Sequence, residues 1–193
     1  MKKDLFSLLR EHVSVNQKHQ ESIQNHSCIK IYPKGSLLLK APEISNCVWY
    51  LEEGILRYFS INEEGEAKTE MFLEPGDFFT DLTSFWEQIS TEGFVEALTK
   101  TKVRIFERCQ YESLKREIPF WNEVVNRICK RHMQDQLLLS RRLIHLNGTQ
   151  GYQLMTEKYS NIVNNVPAVH LASFIGISPH SLSRIKRKQS LDR

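Results

Sequence analysis

Between Ala168 and Arg187 the chain reads AVHLASFIGISPHSLSRIKR, and its small, apolar and basic residues fall at the spacing of a helix-turn-helix. Ala172 is small where two helices would cross. Gly176 follows four residues later, at a turn that wants a positive φ angle. Leu171, Ile175, Ile177, Leu182 and Ile185 supply the little core between the helices, while Ser178 and Pro179 suit the N-cap and first position of the second helix. An ordinary helical hairpin needs no polar outward face, yet His180, Ser181, Ser183, Arg184, Arg187 and Lys188 follow Pro179 there. Such a face can hydrogen-bond and charge-pair with a polyanion.

A second helix of this kind enters the major groove of DNA by its N-terminal turns, which makes His180, Ser181 and Arg184 the candidate base contacts. A guanidinium bonds both O6 and N7 of guanine and discriminates against another base by about 1–3 kcal/mol, so Arg184 has the sharpest prospect. His180 and Ser181 could instead bond a phosphate or cap the helix. Ser178, Pro179 and Ser183 complete the candidate face, and Lys186, Arg187 and Lys188 are candidate phosphate contacts. Ser173 and His170 on the first helix are weaker ones. One such motif covers only a few base pairs, so the expected reader is a homodimer on a palindromic site, its half-sites about 34 Å apart.

Other chemistries lack their residues. All seven histidines, at 12, 19, 26, 132, 145, 170 and 180, lie outside Ser27 to Arg108, so a jelly-roll metal enzyme built on that segment would have no imidazole ligand. No G-x-S-x-G, Gly-rich phosphate loop or H-E-x-x-H occurs. Cys28, Cys47, Cys109 and Cys129 are far apart and form no C-x-x-C pair, which fits neither a zinc site nor a disulfide frame and suggests reduced thiols in a cytoplasmic protein. No catalytic residue, metal site or cofactor is therefore expected, and the protein reads as a non-enzyme.

The elements that must position the C-terminal motif follow from period and charge. From Ser27 to Arg108 short β-branched and aromatic runs alternate with turn signals at Pro33 to Gly35, Glu53-Gly54, Asn62 to Gly65 and Pro75-Gly76, which predicts a closed antiparallel roll. From Ile118 to Leu146 there is no glycine, and one long helix of about 40 Å is expected. Its apolar residues cover too many faces for a single stripe. One stripe can cover the roll, while Val125, Cys129, Met133, Leu137 and Ile144 can meet a second copy of the chain or pack within one protomer. Asn147-Gly148 is expected to end this helix, TQGYQLMTEKYSNIV to form another, and QSLDR to be tail. The start, MKKDLFSLLREHVSVNQ, reads as a short amphipathic helix rather than an export signal, and no apolar run approaches a membrane span. The net charge of +3 divides unevenly: residues 1–119 hold 15 Lys/Arg and 19 Asp/Glu, residues 120–193 hold 11 and 4. The basic half is the one that carries the motif.

A roll, a long helix and a helix-turn-helix in this order resemble the Crp/Fnr family of bacterial transcription regulators. YPKGSLLLK, WYLEEGILRYF and EPGDFF are similar to the family's roll segments, and LASFIGISPHSLSRIKRK to its DNA-reading helices. The resemblance implies an α+β fold: a jelly-roll-like antiparallel β roll in an effector domain at 1–117, a long dimerisation helix at 118–147 and a helix-turn-helix domain at 148–193. It implies a homodimer that binds a small effector in the roll, with double-stranded DNA and RNA polymerase as partners and no membrane.

In the family's cyclic-nucleotide binders, a Gly-Glu pair, a short helix and an Arg-Ser/Thr-Ala run hold the ligand, the arginine gripping its phosphate. Here the pair reads Gly76-Asp77, and Thr91, Glu92 and Gly93 stand where the run belongs. Without the guanidinium a bond of roughly 1.5–3 kcal/mol is missing, and Glu92 repels an anion, so cyclic AMP and cyclic GMP are disfavoured. Gly76, Asp77, Phe78, Phe79, Thr80, Thr91 and Glu92, with Phe85 and Trp86 nearby, are the candidate pocket for some other effector, whose identity the residues leave open. The alternative reading is a small-ligand or protein-interaction module without specific DNA recognition. Family members commonly follow the reading helix with a β-hairpin wing; the sequence here ends five residues after Lys188, from which fewer phosphate contacts are expected.

Overall fold

The computed structural model describes residues 4–191. Eight strands form two four-stranded antiparallel sheets. The first has the order β1 (Cys28–Tyr32), β8 (Thr101–Glu107), β3 (Cys47–Glu53), β6 (Phe78–Phe79); the second runs β2 (Leu37–Leu39), β7 (Phe94–Ala97), β4 (Leu56–Ile61), β5 (Ala67–Leu73). Both faces of β3 are covered, which explains its apolar run from Cys47 to Leu51. Trp49 and Leu51 point between the sheets, where they meet Leu56, Leu73 and Val95, whereas Val48 and Tyr50 point the other way into a helix-covered core. β6 divides in the same manner, Phe79 inward and Phe78 toward the helices.

Four helices build that outer layer. α1 (Leu5–Arg10), the expected N-terminal helix, is capped by Asp4, which accepts from Ser7 N at 2.8 Å, and it buries Leu5, Phe6, Leu8 and Leu9. α2 (Gln17–Asn25) and α4 (Arg108–Glu117) escaped the sequence reading because each is mostly polar. α2 buries only Ile23, and α4 only Tyr111 and Leu114. α5 (Trp121–Ile144) is the expected long helix and buries Trp121, Val124, Val125 and Ile128 in this core. Val125, placed in the second stripe by its spacing, thus packs within the protomer. Farther along α5, Met133 and Leu137 are about half exposed and Ile144 is 79% exposed.

Asn147-Gly148 does not end the long helix. α5 stops at Ile144, and Asn147 is the N-cap of α6 (Gly148–Lys158), in a capping box with Gln150. The second expected helix is two, because the backbone at Tyr159 (φ −129°, ψ 42°) separates α6 from α7 (Ser160–Asn165). α8 (Ala168–Ile175) and α9 (Pro179–Leu191) follow. α9 takes in Gln189, Ser190 and Leu191, so the expected tail is helical over these three; Asp192 and Arg193 lie outside the described residues. Among the described residues no helix is long and apolar enough to cross a membrane.

The C-terminal helices dock on the roll. Their core of Met155, Ile162, Leu171, Ala172 and Leu182 is continuous with Ile55, Phe72 and Leu98 of the roll and with Leu139 and Leu143 of α5. β5 ends its sheet, and α8 lies along its unpaired side. Thr69 N donates to Ser173 Oγ at 3.0 Å, Ser173 Oγ donates to Ala67 O at 3.3 Å, and Phe174 packs on Phe72 with ring centroids 4.9 Å apart.

Candidate nucleic-acid interface and effector cavity

The α8–α9 pair has the geometry its spacing predicts. Ala172 and Leu182 are fully buried where the helices cross. Gly176 caps α8 at φ 82°, and both its own N–H and that of Ile177 donate to Ala172 O at 3.0 Å, which satisfies the end of the helix. Ser178 Oγ accepts from Ser181 N at 3.1 Å and donates to Ser181 Oγ at 2.9 Å, so Ser178 caps α9 and engages one of the candidate base contacts.

With the inner side of α9 held by Leu182 and Ile185, Ser178, Pro179, His180, Ser181, Ser183, Arg184, Arg187 and Lys188 are exposed. Lys186 differs from them: it is half-buried, with its ammonium 5.7 Å from the Tyr152 ring centroid on α6. The groove beside Arg184, Arg187 and Lys188 is also lined by Thr149, from the first turn of α6, and by Gln189. Spacing could not reveal Thr149. It is brought there by Gly148, where a Cβ would lie 2.9 Å from Ile177 Cγ2. The weaker candidates on α8 face the roll: Ser173 bonds β5, and His170 lies among Arg57, Glu96 and Lys34 with its pKa lowered by burial first and by the Arg57 charge second.

A cavity of about 290 Å³ opens between the roll and α5. Phe78, Phe79 and Thr80 line it, as do Tyr58, Met71, Leu73 and Val95 from the second sheet and Cys129, His132 and Met133 from α5. Asp81, Leu82 and Thr83 form its remaining wall at the start of α3 (Leu82–Glu87), whose N-cap is Asp81. Asp77 stands behind the wall, 3.2 Å from His132 Nδ1, and Gly76 N donates to Leu51 O at 2.9 Å. Thr91 is buried with its hydroxyl donated to Asp81, while Glu92 faces solvent. Sequence reasoning missed the contributions of β4, β5, β7 and α5 because only the tertiary fold brings them together.

Charge in and near this cavity is negative. Its lining includes no Lys or Arg. The roll's buried arginines are committed elsewhere, Arg57 to Glu96 at 2.6 Å and Arg104 to Glu52 at 3.1 Å. Tyr58 has a raised pKa, owing chiefly to burial and then to the charges of Asp81 and Glu70. Burial pushes the Cys129 thiol up to about 12. Among the described residues no cluster of His, Cys, Asp and Glu could hold a metal ion.

Residues 29–117 match the family described as cyclic nucleotide-binding domain. Similar structures include the c-di-GMP-responsive global regulator CLP of Xanthomonas campestris, at 15% identity and TM-score 0.70, covering 92% of this chain and 93% of that one. A Crp/Fnr-family regulator from Eubacterium rectale has the same identity and TM-score, covering 96% of this chain and 87% of its own. A CooA mutant from Carboxydothermus hydrogenoformans aligns at 15% identity and TM-score 0.66, over 97% of this chain and 85% of that one. No curated protein matches significantly by sequence. Residues 29–117 thus resemble a cyclic nucleotide-binding domain, and the chain has the fold seen in Crp/Fnr-family transcriptional regulators.

Proposed function

We propose that this chain is a homodimeric, sequence-specific DNA-binding transcription regulator of the Crp/Fnr type, with a sensor roll that does not take cyclic AMP or cyclic GMP. Residues 1–117 form the sensing part, 118–147 the connecting and dimerising helix and 148–193 the reading part, with RNA polymerase as a further partner. The observation that carries this reading is α9. Its inner side is locked by Leu182, Ile185 and the Ser178 cap, and its outer side offers His180, Ser181, Arg184, Arg187 and Lys188 to solvent. A helix presented this way can enter a major groove without rearranging its own core. The exposed Met133, Leu137 and Ile144 on α5 support the dimer, because their spacings of four and seven keep them on one face of the helix, where a second helix can cover them.

Selection of bound duplexes from a random pool tests this directly. A palindromic consensus is expected, and Arg184→Ala should weaken binding by about 1–3 kcal/mol and relax preference at one position in each half-site. Uniform weakening across all sequences would make Arg184 a phosphate contact instead. Recovery of no consensus at low salt would overturn the DNA reading in favour of a ligand- or protein-binding module.

A further inference from the structure

The cavity between roll and α5 has the wrong chemistry for an anion and a specific chemistry for something else. Met71, Leu73, Phe78, Phe79, Val95 and Met133 give it apolar walls, two of them thioethers that adapt to an irregular ring system. Its size, about 290 Å³, lies at the lower end of small-molecule sites and has room for up to three rings.

The polar groups on the walls are few and most are occupied. His132 is held on both sides, Nδ1 3.2 Å from Asp77 and Nε2 3.2 Å from Met71 Sδ. Thr80 donates to Cys47 O at 2.9 Å. Asp81 keeps spare acceptor capacity. Its carboxylate accepts from Ser84 N at 3.0 Å and from the Thr91 hydroxyl, which fixes its orientation and still leaves acceptor lone pairs on both oxygens. An anion entering here would shed its water beside a fixed carboxylate with no lining cation to replace it. The charges of Asp81 and Glu70 already disfavour ionisation of the neighbouring Tyr58 phenol.

We propose that this cavity binds a small, largely apolar molecule of up to three rings that carries no negative charge and donates one N–H or O–H hydrogen bond to Asp81. The proposal rests on reading the roll as a sensor and gives the chemical class of what it senses. Binding itself requires no DNA, so its failure and that of the DNA reading are separable.

Two fluorescent probes sharing one ring skeleton test it on the full chain. N-phenyl-1-naphthylamine is neutral and carries one N–H; 1-anilinonaphthalene-8-sulfonate adds a sulfonate beside it, with its negative charge and its bulk. The neutral probe should bind saturably, one per chain, at least tenfold tighter than the sulfonate, and cyclic AMP should not displace it. Asp81→Asn keeps a good helix cap and should narrow the gap between the probes to less than threefold. Leu82→Trp, at the exposed rim and away from α5, should weaken the neutral probe at least tenfold, whereas Trp86→Ala, an exposed aromatic outside the cavity, should leave it unchanged. Equal affinity for the two probes, displacement by cyclic AMP, an unchanged gap in Asp81→Asn, or loss of binding in Trp86→Ala rather than Leu82→Trp would each overturn the assignment.

Discussion

Four cysteines of one chemical type have quite different surroundings. Cys28 and Cys109 are exposed, whereas burial pushes the Cys47 thiol up to about 11 and that of Cys129 to about 12. The thiolate is the reactive form, so at pH 8 the two buried residues hold roughly 100- to 1,000-fold less of it than an ordinary thiol. An aromatic disulfide reagent followed by absorbance should therefore show two fast and two slow thiols, merging into one fast class in guanidinium. Four fast thiols in the native protein would contradict the packing of Cys129 against Phe78. The geometry of the α8–α9 pair was legible at the level of single residues because a helix-turn-helix is a local device: twenty consecutive residues contain its crossing, turn, cap and exposed side. The cavity was only partly so. Phe78, Phe79 and Thr80 were within reach of local reasoning, but Tyr58 and His132 lie on elements far apart in sequence, and Glu92 shows that being next to a wall residue does not put a side chain on the wall.

Elements depend on where the backbone can turn. Gly176 has a positive φ of 82°, and a Cβ there would meet nothing within 4 Å, so alanine at this position tests backbone strain alone. Gly176→Ala should cost about 1–2 kcal/mol in urea unfolding, the penalty of a left-handed conformation, without altering which helices form. Gly54 combines two effects, since at φ 99° its added Cβ would also lie 2.5 Å from Thr101 Oγ1 and 2.8 Å from Lys100 O. A loss at Gly176 as large as that at Gly54 would mean that contacts, and not φ, set the cost. The strands and the long helix were readable because hydrophobic period survives tertiary context. Asn147-Gly148 was misassigned for an identifiable reason: an Asn-Gly pair can end one helix or begin the next, and the Gln150 side chain that decides between them acts only once α6 has formed. Nothing in the composition around Tyr159 announces a break, and the split between α6 and α7 was invisible to local reasoning.

At the scale of the whole molecule, the exposed apolar residues of α5 are where the proposed dimer can be tested. Met133, Leu137 and Leu138 stand about half exposed in the middle of a helix whose two ends are buried in different cores. Leu137→Glu places a charge on the proposed seam while leaving both cores intact, and sedimentation equilibrium should show dimer dissociation at least tenfold easier than in the parent protein. Binding to a palindromic duplex should fall with it, whereas the two thiol classes should stay as they are. A variant as dimeric as the parent would move the interface off α5. The uneven charge of the chain fits this arrangement, since the basic residues of α9 lie beyond the helix that would join two protomers, where both can meet one duplex.

The seat of α8 on β5 has a consequence for solubility. β5 is the last strand of its sheet, and the outward N–H of Thr69 and C=O of Ala67 are engaged by a serine from another part of the chain rather than by a further strand. An uncovered edge of this kind is a template for pairing with a neighbouring molecule's strand. α8 therefore also guards the roll against polymerising edge to edge, and any motion that lifted it away would leave that edge bare until it settled again.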